Sequence, residues 1–264
     1  MEKLKIAVCF SGQVRTWKHC YKNWEDNLAS LGDVDYFCHF WDYNSIPLGA
    51  QNGYDVVPDD TLLSEEEKQS IISALKPKRI EFESKKTWPN IVKLDHWYSK
   101  RITTKSIPLF RNQFYSLIKV ANLKRQYELY NNFEYDVVIR MRPDSIFATK
   151  PNIVKPTPNT IYAIHQRYST SLNMFGIADV YYHCDSFTFD QISWFINSIR
   201  SIDLLEMIDN NKPMFLPEHA LYYYVKSIGI DLTHAEIDPR VVVTADLMAK
   251  KGFLQANEIL NTDL

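Results

Sequence analysis

The sequence predicts an α/β fold with a mostly parallel central sheet, and three observations lead there. Apolar runs of strand length alternate with segments of helical period along most of the chain. In the first run, "KIAVCF", the five residues after Lys5 are continuously apolar and stop at Ser11 and Gly12, the pattern of a strand buried on both faces. The 264 residues are 45% hydrophobic and 14% aromatic, which is enough for one extensive core.

After the first strand a helix is expected over roughly residues 17–31, and "VDYFCHFWD" reads as the second strand, closed by Asp42 and Asn44. Ser64 and Glu67 have capping-box spacing, so a helix should start there and run to Pro77, followed by a strand at Arg79 to Glu83. Residues 85–107 carry Trp88, Pro89, Trp97 and Tyr98 without a period and read as a long loop, whose aromatics are suited to stacking on sugars or bases. A helix is expected from about Pro108 to Tyr130, with Phe114, Leu117, Ile118 and Ala121 at helical spacing. "DVVIRMRPDSIF" follows as the fourth strand. "NTIYAIHQ", "GIADVYYHC", helices near 186–200 and 217–228, and "DLTHAEI" complete the chain, with room for an antiparallel edge.

No repeat or linker divides the sequence, so a single domain over 1–264 is expected. A net charge of −2, from 30 basic and 32 acidic residues, gives no global field for DNA or RNA. The apolar run before Gln13 and Arg15 is too short for a leader or a membrane span, so a cytoplasmic protein without a transmembrane segment is expected. Cys9, Cys20, Cys38 and Cys184 form no paired motif and read as buried thiols. Seven glycines include no phosphate-cradling glycine loop. The tryptophans at 17, 24, 41, 88 and 97 and the tyrosines at 222–224 read as mostly core, with the loop aromatics less easily assigned there. His39, His183 and His234 read as satisfied core or rim histidines.

In a parallel sheet, ligands bind beyond the carboxyl ends of the strands. "SGQVR", "WDYN" and "RMRPD" are the strand endings that would meet on that rim. Arg140 and Arg142 lie two apart, so an extended chain points both to one side, with Asp144 beside them unless Pro143 turns the chain first. Two guanidiniums on one side can clamp a diphosphate. Asp144 can take a magnesium or manganese ion bridging to the same phosphates, or a sugar hydroxyl. The alternative is an internal Arg/Asp salt bridge at a strand end. In "SGQVR", Gly12 permits close backbone approach, Ser11 and Gln13 can hydrogen-bond a base or ribose, and Arg15 can reach a phosphate; an ordinary strand-to-helix turn is the alternative. Asp179 lies in an apolar stretch. Glu218, beside His219 in the first turn of an aromatic helix, is explained either by the helix dipole or by a role as proton acceptor.

The order "VCFSGQVRTW", "FCHFWD", "QFYSLIKVANLKRQYE" leading to "YDVVIRMRPD", "FGIAD" and "PEHALYYYVKSIGI" resembles the small GT-A-like glycosyltransferases of bacteria, phages and large DNA viruses, over most of residues 5–232. The resemblance implies a GT-A-like α/β/α sandwich with a nucleotide-binding half over 1–147 and an acceptor-side half over 148–264, and transfer of a sugar from a nucleoside-diphosphate sugar to a glycan or lipid-linked sugar, within a bacterial cell or virus-infected host. It places Ser11, Gly12, Gln13 and Arg15 around the nucleotide, Gln113 and Ser116 near the donor sugar, Asp179 on the acceptor side, and Glu218 at the position of an acidic general base. Such enzymes carry an Asp-x-Asp motif for Mn²⁺ or Mg²⁺ where this chain has Arg140-Met141-Arg142-Pro143-Asp144. Either Asp144 alone anchors the ion, or the arginines replace it. A binding module that has lost catalysis is the alternative from another class. A sulfotransferase fits less well, because "SGQVRT" lacks a phosphosulfate-binding loop.

Overall fold

The computed structural model describes residues 3–44, 47–48, 55–56, 61–84, 106–169, 174–195, 217–237 and 239–241. Strand β1 (Leu4–Gly12) leads into helix α1 (Trp17–Leu28) and strand β2 (Gly32–Trp41). The short strands β3 (Tyr43–Asn44), β4 (Pro47–Leu48), β5 (Asp55–Val56) and β6 (Thr61–Leu62) pair as two small ribbons, β3 with β6 and β4 with β5. Helix α2 (Glu65–Leu75), strand β7 (Arg79–Glu83), the long helix α3 (Ser106–Asn131), strand β8 (Val137–Met141) and strand β9 (Ser145–Phe147) follow. Strands β10 (Thr160–Ser169) and β11 (Met174–Cys184), helices α4 (Ser186–Ser193) and α5 (Pro217–Ser227), and strands β12 (Asp231–His234) and β13 (Pro239–Val241) complete the described chain.

Seven strands form one sheet in the order β12-β10-β11-β8-β1-β2-β7. Strands β1, β2, β7 and β8 are mutually parallel, as are β10 and β12, and β11 alone runs against both of its neighbours. The antiparallel strand therefore lies inside the sheet, whereas the sequence led us to look for it at an edge. Residues Ile6 to Phe10 and all five residues of β8 are buried, because these strands sit at the sheet centre with helices over both faces. On one face Ala7, Cys9, Phe37, Val138 and Tyr182 pack with Phe114 and Val120 of α3, Phe189 of α4 and Leu221 of α5. On the other, Ile6, Val8, Phe10, Ile139 and Met141 pack with Trp24 and Leu28 of α1 and Ile71 of α2.

Local signals explain most boundaries. Ser64 Oγ accepts the Glu67 N–H at 3.1 Å, and three glutamates occupy the first turn of α2, where the helix dipole favours them. That helix ends at Lys76 in a left-handed conformation immediately before Pro77. Helix α1 stops at Leu28, three residues short of the expected end. Expected features in residues 85–105 and beyond 195 in the helix near 186–200 lie outside the described residues. All four cysteines are buried and free, as their spacing indicated. Trp17, Trp24, Trp41 and Tyr224 are core, while Tyr222 and Tyr223 are half-buried. His183 is buried and bonded to Tyr181, and His234 is exposed.

Buried charge also ties the helices together. Lys124 of α3 is fully buried and reaches Glu128 at 2.8 Å, Asp190 of α4 at 3.1 Å and the Ser186 hydroxyl. At Gly32, paired with Leu4 of β1, there is no room for a side chain, since a Cβ would lie 2.3 Å from the Leu4 carbonyl oxygen. Gly32→Ala should destabilise the protein by roughly 1–3 kcal/mol, read as a lower urea midpoint at unchanged slope.

Candidate functional site

Strand β8 ends in a tight turn in which the Ser145 N–H donates to the Arg142 carbonyl at 3.3 Å, with Pro143 as second residue. Proline's fixed φ suits that position. The turn folds Asp144 back onto its neighbour, so that Arg142 Nε and Nη2 donate to the two carboxylate oxygens at 2.9 and 2.7 Å. Arg15 joins from the β1–α1 connection, its Nη1 donating to Asp144 Oδ2 at 2.9 Å and its Nε to Gln13 Oε1 at 3.2 Å. That connection is conformationally unusual, with φ of +117° at Gly12 and +42° at Arg15. A left-handed non-glycine residue costs about 1–2 kcal/mol, and the bonds from Arg15 to Asp144 and Gln13 offset it.

The far side of the turn is held by α1. Trp24 Nε1 donates to the Ser145 carbonyl, and Asn23 both donates to and accepts from the Phe147 backbone, at 2.9 and 2.8 Å. The Ser145 hydroxyl donates to the Arg142 carbonyl at 2.7 Å. These bonds fix the backbone from which both Arg142 and Asp144 project.

Two further carboxyl groups complete the cluster. Asp179, on β11, lies 3.4 Å from Arg142 Nη1 through each oxygen. Glu218, in the first turn of α5, is close enough for the charges of Asp179, Arg142 and Arg140 to act on it. Burial opposes ionisation of Asp144, but the Arg142 and Arg15 guanidiniums outweigh it and hold the carboxyl down at about 2. Glu218 goes the other way. Burial and then the Asp179 charge push it up to about 7, against the pull of the arginines, and its Oε2 has no hydrogen-bond partner. Arg140 is 4% exposed, and burial draws its pKa below the usual range despite Asp179.

The fold thus brings together Arg15, Arg140, Arg142, Asp144, Asp179 and Glu218. Asp179 sits among charges, not in the apolar setting its sequence neighbours implied. Arg140 within β8 and Arg142 just past its end are not equivalent, since Arg142 is 22% exposed and Arg140 is buried. Ser11 is buried with no hydrogen-bond partner for its hydroxyl. Ser116 does not face the cluster. Its hydroxyl lies 2.8 Å from His39 Nδ1, and His39 Nε2 lies 2.9 Å from Glu83. Gln113, half-buried one turn earlier, takes part in none of the described bonds of the cluster.

Two places were tested for their fit to a divalent ion. At Asp144 both oxygens accept from guanidinium groups, so the donor set already carries its positive counter-charge. His39, Glu81 and Glu83 bring three potential ligand atoms within 4.8 Å of one another, but Lys119 reaches Glu81 at 2.7 Å and Glu83 at 3.8 Å, and an ammonium supplies the cation there. Neither arrangement fits a metal as it stands. Sequence reading passed over Tyr182, whose Cα is paired with that of Arg140 across β11 and β8 and whose buried hydroxyl has no partner. Its sequence neighbours carry no sign of this placement, because the pairing register is non-local.

No protein-family model matches the chain, and comparison with curated proteins returns no match. Among the described residues no helix is long and apolar enough to cross a membrane.

Removing the Asp144 carboxylate leaves two guanidiniums without their shared counter-ion. Asp144→Ala should cost about 3–5 kcal/mol, measured by chemical denaturation at pH 7. Glu218 gives the opposite sign. Its folded value near 7 lies above the usual 4.5, so folding holds a proton that the unfolded chain releases, and the penalty grows as pH rises from 4.5 to 7. Glu218→Gln should therefore raise the melting temperature at pH 8, with the gain shrinking toward pH 5.

Proposed function

We propose that the protein is a glycosyltransferase that moves a sugar from a nucleoside diphosphate to a hydroxyl of a glycan or lipid-linked sugar. The observation that carries this reading is the pairing, at the carboxyl ends of parallel strands, of an arginine clamp with a carboxyl group poised near neutrality. Arg15 and Arg142 are 26% and 22% exposed, so they meet solvent while Asp144 fixes their orientation. A guanidinium offers five N–H donors, and those of Arg142 not given to Asp144 and Asp179 remain for phosphate oxygens.

In the reaction the bond between the anomeric carbon and the diphosphate oxygen breaks, and its electron pair leaves on the phosphate. Guanidiniums already held in place stabilise that charge without reorganising. The acceptor hydroxyl forms the new bond to the anomeric carbon and gives its proton to the Glu218 carboxylate. A base with a pKa near 7 is matched to this at neutral pH. Asp179 lies between Arg142 and Glu218 and orients the acceptor. The diphosphate is held by arginine and not through an ion at Asp144. Support for that choice comes from the donors on both Asp144 oxygens and from Arg140 nearby, which repel a further cation.

Thermal melting against UDP-, GDP-, dTDP- and CMP-linked sugars, in EDTA and in Mn²⁺, tests the reading. One nucleoside-diphosphate sugar should raise the melting temperature equally in both. The reading fails if none does so at millimolar concentration, or if only a CMP sugar does. Arg142→Ala should weaken that binding on the order of 10–100-fold, the loss expected for charge-assisted hydrogen bonds. With the donor known, turnover should rise with pH through about 7. Glu218→Gln should lower it by about 10²–10⁴ while the donor still binds. A binding module without catalysis would show the Arg142 effect and be indifferent to Glu218.

A further inference from the structure

Arg140 poses a separate problem from the clamp. Its Cα is paired with Cys9 of β1 on one side and Tyr182 of β11 on the other, at the centre of the sheet. The guanidinium is almost wholly buried, and its Nη1 has no hydrogen-bond partner. Two carboxylates reach it with their charge, Asp179 and Asp144, and both are bonded to Arg142. Burying an ion that is not directly paired costs several kcal/mol, and native proteins leave few buried polar groups unbonded.

Two more such groups lie on the strands to either side. The Tyr182 hydroxyl and Ser11 Oγ are also buried and without partners. Strand alternation puts all three side chains on the same face of the sheet, since Ser11 is two residues beyond Cys9 and Tyr182 opposes Arg140 directly. Three orphaned groups on adjacent strands, one of them a fixed cation, form a prepared polar site. Water would satisfy the hydroxyls and leave the charge unbalanced. A phosphate dianion would overload a site that already borders Asp179 and Glu218. A carboxylate carries one negative charge, and its planar pair of oxygens matches the guanidinium edge while still accepting from the two hydroxyls.

We propose that Arg140, Tyr182 and Ser11 form a subsite for a carboxylate on the transferred sugar, so that the donor is a nucleoside-diphosphate uronic acid. This rests on the glycosyltransferase reading and names its substrate class. The diphosphate takes the exposed arginines at the mouth of the site, and the acidic sugar reaches inward to the buried one.

Calorimetric titration of matched pairs tests it: UDP-glucose against UDP-glucuronate, UDP-galactose against UDP-galacturonate, GDP-mannose against GDP-mannuronate and dTDP-glucose against dTDP-glucuronate. In one pair the acidic member should bind at least tenfold more tightly. Arg140→Gln should abolish that difference while leaving the affinity for the neutral member and for the free nucleoside diphosphate unchanged, and Arg140→Lys should retain part of it. Equal or tighter binding of the neutral member in every pair that binds overturns the proposal and leaves the transferase reading standing. Persistence of the preference in Arg140→Gln overturns the assignment to Arg140. If neither the pairs nor free UDP, GDP and dTDP bind, the transferase reading falls and the proposal falls with it.

Discussion

The carboxylate of Asp144 is the point on which the site depends. It accepts from Arg142 within its own turn and from Arg15 across from the first strand ending, and Arg142 in turn reaches Asp179 on β11. Three separate chain segments are thus referred to one buried pair of oxygens. Burial alone would neutralise this acid, and two guanidiniums reverse the outcome. Cations clustered without such a counter-ion would repel one another and splay into solvent. Held by Asp144, the Arg15 and Arg142 guanidiniums keep fixed orientations, the preorganisation on which the proposed transfer would draw.

Asp144 and Glu218 show how one environment separates two chemically similar groups. The first is driven toward its charged form by direct contact with arginine, the second toward its neutral form by burial and by Asp179. A carboxylate committed to structure and a carboxyl able to exchange a proton near neutrality then coexist in one cluster. The second is held at some expense in stability, as are the left-handed Arg15 and the buried Arg140. The expense is borne by the sheet beneath, whose central strands are buried on both faces. Conflict between local preference and global structure is concentrated around this rim, and the strands that carry it conform to their sequence patterns.

Much of the fold was legible because its signals are local. Continuous apolar runs gave β1 and β8, the Ser64–Glu67 spacing gave the start of α2, and polar strand endings gave the rim where Arg15, Arg142 and Asp144 meet. What the sequence withheld depends on strand order and pairing. Tyr182 gains its place opposite Arg140 from the β8–β11 register, which no short stretch encodes. Ser116 shares a helical stripe with core residues, and periodicity specifies that such a residue faces inward without specifying His39 as its partner. Lys124 is enclosed by Glu128, Asp190 and Ser186, and Asp190 and Ser186 are brought to it only by the packing of α4 on α3. The inequality of Arg140 and Arg142 is likewise invisible in an alternating motif, because it arises from where the strand ends.

The reversal of β11 has a consequence for how such a protein diversifies. A parallel strand contributes to the rim through the loop that follows it, and loops change length and composition readily. Asp179 instead projects from within a strand of eleven residues, where the pairing with β10 shifts register and just beyond the ladder with β8. Insertions in the surrounding loops can reshape what is admitted to the site without relocating this carboxylate. The length of the rim loops and the place of this carboxylate are therefore structurally independent, with the inverted strand as the boundary between them.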